Sequence, residues 1–177
     1  PDSNAASEAD IVFVGRLVEK KGVKTLIEAV SYLIVEQPSL KVRIVGDGPE
    51  KASLVQLSEK LNVTGHVEFI GAIPNEQVPA FYRSARIAVV PSIVASDGDQ
   101  EGLGLVAVEA LGCGCATIVS DLPALRDVVR DGETGLVFPA GNSIELGRQI
   151  RQLLADEQLL ERLAGNGHTH ITQHFDW

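Results

Sequence analysis

Short apolar runs alternate with helical patterns along the whole chain, and this alternation limits the fold more than any other feature. Ile11–Val14 (IVFV) is a continuous β-rich run, the pattern of a strand buried on both faces. After it Val23, Leu26, Ile27, Val30, Leu33 and Ile34 fall on one helical face. Val42–Val45, Val67–Ile70, Ile87–Val90, Thr117–Val119 and Leu136–Phe138 repeat the strand pattern. Between and after them, helices are expected around Leu54–Leu61, Asn75–Arg83, Leu103–Leu111, Leu146–Leu154 and Leu159–Leu163. Strand and helix in turn, with short connections, predict an α/β domain with a parallel sheet covered on both faces. The strands are too few for an eight-fold barrel, so the expected form is an open, doubly wound, Rossmann-like sheet over residues 11–177. Residues 1–10 read as a linker.

The 177 residues carry a net charge of −9 and an apolar share of 45%. That size supports a full core without staples. The acidic balance argues against nucleic acid as a partner, which needs a basic face. A phosphate ligand remains compatible if its cations are few and local. No apolar stretch is long enough to span a membrane. The first ten residues lack the basic and apolar regions of a secretory signal, so a cytoplasmic location is expected. The only cysteines, Cys113 and Cys115, are too close for an ordinary disulfide and too few for a structural zinc site. They read as small buried residues.

The longest irregular stretch, Pro91–Glu101, follows a strand, where ligands sit in such sheets. It leads into Glu101-Gly102-Leu103-Gly104, which opens an apolar pattern holding a single charge, Glu109. Glycines let a backbone approach a ligand, and free N–H groups at a helix start bind anions. An apolar helix is expected to be buried all round, which would make Glu109 a carboxylate in need of strong donors such as ligand hydroxyls. A carboxylate paired within the protein is the plain alternative. Eight helical residues rise about 12 Å, farther than a glycosidase carboxyl pair. Glu101 and Glu109 instead suit the two ends of one elongated ligand, with its anionic middle over the helix start.

Gly15-Arg16 and Lys21 occupy the first strand-to-helix loop and bring local cations to an acidic protein, as a diphosphate requires. Lysine at a helix start is otherwise unfavourable, which tilts the reading toward function. Gly46-Asp47-Gly48 follows the second strand, and turn chemistry explains it equally well. Ile70, Gly71 and Ile73 lie at and just past the end of the third strand, where apolar groups could pack on a flat base or simply join the core. Asp97-Gly98-Asp99 mimics a metal-binding pair, but Val108 stands where an EF-hand needs Glu, so a solvated loop is expected and no metal. None of His66, His168, His170 and His174 has helical ligand spacing with a neighbouring acid, so surface or core roles are expected for each.

The segments GRLVEKKG, VGDGP, FIGAI, PS, EGLGLVAVEALGCG and DGETGLVFPAG, in this order, resemble the C-terminal domain of retaining GT-B glycosyltransferases of the group 1 (family four) type. That bacterial group uses nucleotide-sugar donors in polysaccharide and lipid glycosylation. The resemblance covers about Ile11 to Trp177, and the Glu-x7-Glu pattern is its most specific mark. It implies that Glu101 contacts the donor sugar as the catalytic-site residue and Glu109 the ribose hydroxyls. Arg16 and Lys21 would neutralise the diphosphate, and the amides of Leu103 and Gly104 would complete its cradle. Gly46–Gly48 and Ile70–Ile73 would lie near the base and phosphates.

It further implies a front-face transfer in which the leaving phosphate helps deprotonate the acceptor. No metal or other cofactor is implied, since cations and a helix start stabilise the leaving group. The acceptor, a saccharide or a lipid-linked one, would be held by an N-terminal half preceding this part, with peripheral membrane association of the full-length protein for a lipid acceptor. The isolated domain is expected to bind donor weakly and transfer little. Rival readings are a GT-B epimerase or phosphorylase and a non-catalytic nucleotide-binding module. A dehydrogenase fits least, because the first loop lacks Gly-x-Gly-x-x-Gly.

Overall fold

In the computed structural model, which describes residues 8–175, all six apolar runs are strands. They are β1 (Ala9–Val14), β2 (Val42–Val45), β3 (Val67–Gly71), β4 (Ala85–Val90), β5 (Ala116–Ser120) and β6 (Leu136–Phe138). One sheet contains them in the order β3-β2-β1-β4-β5-β6. Every neighbouring pair is parallel, as the alternation of strands and helices predicts. β1 begins at Ala9, inside the segment expected to be a linker, because Ala9 already packs in the core and registers with Ala85. The rest of that expected linker, residues 1–7, lies outside the described residues, as do residues 176 and 177.

The helices are α1 (Val23–Leu33), α2 (Lys51–Lys60), α3 (Val78–Arg83), α4 (Leu105–Gly112), α5 (Pro123–Arg126), α6 (Ser143–Ala155) and α7 (Glu157–His174). Alternate strand residues feed two layers, as a pleat dictates. Ile11, Phe13, Ile44, Ile87 and Ile118 join the larger cluster with α1 and α6 (Leu26, Ile27, Val30, Leu146, Ile150). Val12, Val45 and Ala88 face the other side with Tyr82 of α3 and Ala110 of α4, while Val90 and Val119 meet Leu111 and Leu125. α7 serves both layers: Leu160 and Leu163 belong to the first and Ile171 to the second. The sequence pattern marks only its first turns. Farther along, Gly167 lies against Leu111 and the Thr134 carbonyl, so the packing there calls for a missing side chain, not an apolar one.

Three elements depart from expectation. A 3-10 turn, Glu19–Lys21, precedes α1, so Lys21 ends that turn and does not open α1. The supposed mismatch of a lysine with a helix start therefore disappears. The short α5 has too few residues to show a periodicity. α4 starts at Leu105, with Gly104 in the left-handed region (φ 65°) as its N-cap. The strand order reverses between β1 and β4, and their carboxyl-end loops open the crevice that a doubly wound sheet offers to ligands.

Candidate functional site

The loops after β1, β2 and β3 are tied to one another by their backbones. The Gly15 N–H donates to the Val45 carbonyl (2.9 Å), Leu17 N–H to Asp47 O (3.0 Å) and Gly46 N–H to Gly71 O (2.9 Å). Gly46 has φ 137°, and a Cβ there would run into the Gly15 carbonyl, so only glycine allows this approach. The result is a pocket of about 200 Å³ that brings together Gly15, Arg16, Gly46, Asp47 and Ile73 from three of the expected segments. Arg16 is exposed and makes no ion pair among the described residues. Asn75 and Val78 also line this pocket, though neither was expected there. Gly48 turns against the Leu17 backbone, with its N–H held by the Asp47 carboxylate at 2.8 Å. Ile70 packs on the Val45–Tyr82 cluster and does not line the pocket.

Across the crevice, Lys21 and Glu101 meet. Lys21 Nζ lies 2.9 Å from Oε2 and 3.2 Å from Oε1 of Glu101, and both side chains are mostly buried. Ser92 Oγ donates to the same carboxylate at 3.3 Å, and Ser120 Oγ donates to the Ser92 carbonyl at 2.6 Å. Ser92 belongs to the PS segment but was given no role there, and Ser120 carries no sequence signal. The contact forms because Gly22, left-handed at φ 69°, lies flat against the Pro91 carbonyl, where a Cβ would collide. Lys21 has a third N–H beyond the two directed at Glu101.

Past Glu101 the chain runs through exposed Gly102 and Leu103 to Gly104. Among the described residues, the amides of Leu103 and Gly104 have no protein acceptor. They sit at the start of α4, whose first-turn N–H groups are also free of intrahelical partners. Leu103 and Leu105 are exposed (73% and 59%), so α4 is not buried all round. Its inner face holds Ala107, Val108, Ala110 and Leu111. Glu109 as a residue is exposed, not the buried charge expected. The helical ruler also fails at one end, since Glu101 precedes the helix by a stretch of loop.

Glu109 nevertheless borders protein on one side. With Asn75, Val78, Tyr82 and Cys113 it lines a pocket of about 320 Å³ between α3 and α4, and partial burial pushes its carboxyl pKa above the ordinary value. The two pockets share Asn75 and Val78. Beneath them Tyr82 is 1% exposed and its hydroxyl has no partner. Burial, with the nearby Glu109 and the two cysteines, pushes the phenol well above its ordinary range. Cys115 is buried as expected, and burial raises its thiol to about 12. Cys113 is only half-buried and faces the pocket.

The decoy aspartates are turn residues. Asp97 Oδ1 accepts the Asp99 N–H at 2.9 Å, and Asp99 pairs with Lys20 at 3.3 Å. His168 and His66 bond backbone carbonyls, and the His170 and His174 rings lie against each other, tilted by 47°, along α7. No helix among the described residues is long and apolar enough to cross a membrane.

A doubly wound sheet with cations, free amides and two carboxylates around its crevice defines a class of α/β domain suited to an anionic ligand. The chain belongs to the family described as glycosyl transferases group 1, which matches residues 2–170. It is 34% identical over 175 residues to the D-inositol 3-phosphate glycosyltransferase of Streptomyces bingchenggensis, covering 94% of this chain and 37% of that protein. Among solved structures it is similar to the C-terminal domain of a glycosyl transferase group 1 family protein from Francisella tularensis. There the TM-score is 0.84 at 26% identity, over 96% of this chain and 87% of that one. It also resembles Anabaena HepE in complex with UDP, with a TM-score of 0.85 and 26% identity, over 95% of this chain and 45% of that one. The fold is that of a GT-B C-terminal domain, and the chain spans well under half the length of the curated relative.

Proposed function

We propose that this domain binds the nucleotide-sugar donor of a retaining glycosyltransferase that moves a hexosyl group to a saccharide or lipid-linked acceptor. The observation that carries the reading is one arrangement. The Lys21–Glu101 pair stands beside the unpartnered amides of Leu103 and Gly104, and Glu109 lies farther along the same helix. A diphosphate laid across those amides would meet Arg16 and the remaining Lys21 donor. One of its ends would reach Glu101 and the other Glu109. The UDP complex of HepE supports a nucleotide ligand in a related fold.

In this reading Arg16, Lys21 and the α4 amides stabilise charge that grows on the leaving diphosphate, and they do so as prepositioned groups. They supply the positive potential without requiring a metal. Glu101 accepts hydrogen bonds from hydroxyls of the donor sugar, and Glu109 from those of the ribose. The leaving phosphate takes the acceptor proton in a front-face transfer. The acceptor would be bound by a further domain, with peripheral membrane attachment where the acceptor is a lipid, and the expected setting is the cytoplasm.

Calorimetric titration with UDP-, GDP- and ADP-sugars tests the proposal. One of the three should bind, and Lys21→Ala should weaken it. No binding by any, or binding indifferent to Lys21, would contradict it.

A further inference from the structure

The 3-10 turn does more than present Lys21. Its three consecutive residues each hold a different point of the Pro91–Glu101 loop. Glu19 takes both donors of Ser96, the backbone N–H at 2.8 Å and the hydroxyl at 2.9 Å. Lys20 reaches Asp99 at 3.3 Å, and Lys21 grips Glu101. The start of the loop is fixed separately, by the Ile93 N–H on the Lys20 carbonyl (2.9 Å) and by Ser120 on the Ser92 carbonyl.

The tip has no such anchor of its own. It closes on itself through Ala95 N–H to Asp99 O (2.8 Å), Gly98 N–H to Ala95 O (2.9 Å) and the Asp97 side chain. Among the described residues its hydrogen bonds and ion pairs to the rest of the fold are those of Glu19 and Lys20. The Lys20–Asp99 pair is solvent-exposed and worth little. The Glu19–Ser96 contact joins one carboxylate to two donors, and charge-assisted bonds of that kind are the stronger sort. The tip leads directly into Glu101.

We propose that Glu19 is a positioning residue for the donor sugar: by clipping Ser96 it fixes the loop that carries Glu101. This rests on the proposed role of Glu101. Glu19 would touch no ligand, and it would leave the nucleotide's own contacts alone. Arg16, the α4 amides and Glu109 lie outside the clip, and the turn side is held by the packing of Gly22 on Pro91. Loosening the clip should therefore remove only the sugar's share of the affinity.

The test is calorimetric titration of the chain with UDP-glucose and with UDP. If UDP-glucose does not bind, GDP-mannose with GDP and ADP-glucose with ADP take its place. In Glu19→Ala the preference for the sugar nucleotide over its diphosphate should fall about threefold to tenfold, while diphosphate affinity holds. Glu19→Gln keeps an acceptor for the Ser96 N–H and should restore most of the preference. Ser96→Ala loses one bond of the two and should fall between. Glu19 is exposed, so the melting temperature should barely move. An unchanged preference, or an equal loss for both ligands, would overturn the proposal. If the unaltered chain binds none of the three sugar nucleotides, the function proposed above fails before any substitution is made, and this inference fails with it.

Discussion

Lys21 directs two of its donors at Glu101, and in the proposed binding mode the third would meet the diphosphate. Removing it would strip the proposed phosphate ligand of a charge-assisted bond and leave a mostly buried carboxylate without its cation. Lys21→Ala should weaken nucleotide-diphosphate binding about 10- to 100-fold by calorimetry.

Glu109 makes a pH-dependent prediction. Partial burial holds its carboxyl above the ordinary value, so just above the ordinary carboxylate range the folded chain keeps a proton that the unfolded chain has released. Its contribution to stability therefore falls as pH rises through that window, and Glu109→Gln should abolish this slope in thermal unfolding. A ribose diol needs the ionised form as acceptor. Nucleotide binding in mildly acidic buffer should thus release a proton, seen as a buffer-dependent enthalpy that the Gln variant lacks. Tyr82 is the opposite case: its hydroxyl is buried and unpartnered. Tyr82→Phe should leave unfolding stability unchanged or raise it by up to about 1 kcal/mol.

At the scale of elements, the strands were legible because each is a short run rich in β-branched or aromatic residues, and α1 because its apolar face is long and regular. The α4 boundary was not, since the apolar pattern runs through Leu103 and only the left-handed Gly104 interrupts the helix. The same pattern concealed that Leu105 and Glu109 face outward, because periodicity shows which residues could be buried and not which face finds a neighbour. The 3-10 turn is too short to show a period, and the second half of α7 packs through Gly167. Where glycine is required by contact, substitution should be severe. Gly46→Ala combines a positive φ with a clash against the Gly15 carbonyl and should cost about 2–4 kcal/mol in chemical denaturation.

Over the whole molecule, the sheet order brings together residues that no local pattern links. Lys21 and Glu101 are 80 positions apart, and they meet because β1 and β4 are neighbours in the parallel sheet. The sequence marked both as candidates, but their pairing, the Ser92–Ser120 support and the Glu19 clip are products of topology. The chain matches 37% of its curated relative's length, and the proposed mechanism needs an acceptor site beyond the one described. Transfer from a nucleotide sugar to an acceptor by these 177 residues alone should accordingly be at or near background.

Amide chemical shifts measured during titration with a binding nucleotide diphosphate read directly whether the phosphates rest at the start of α4, as proposed. The largest shifts should belong to the N–H groups of Leu103, Gly104 and Leu105. Saturable binding that leaves those three resonances in place while others move would contradict it.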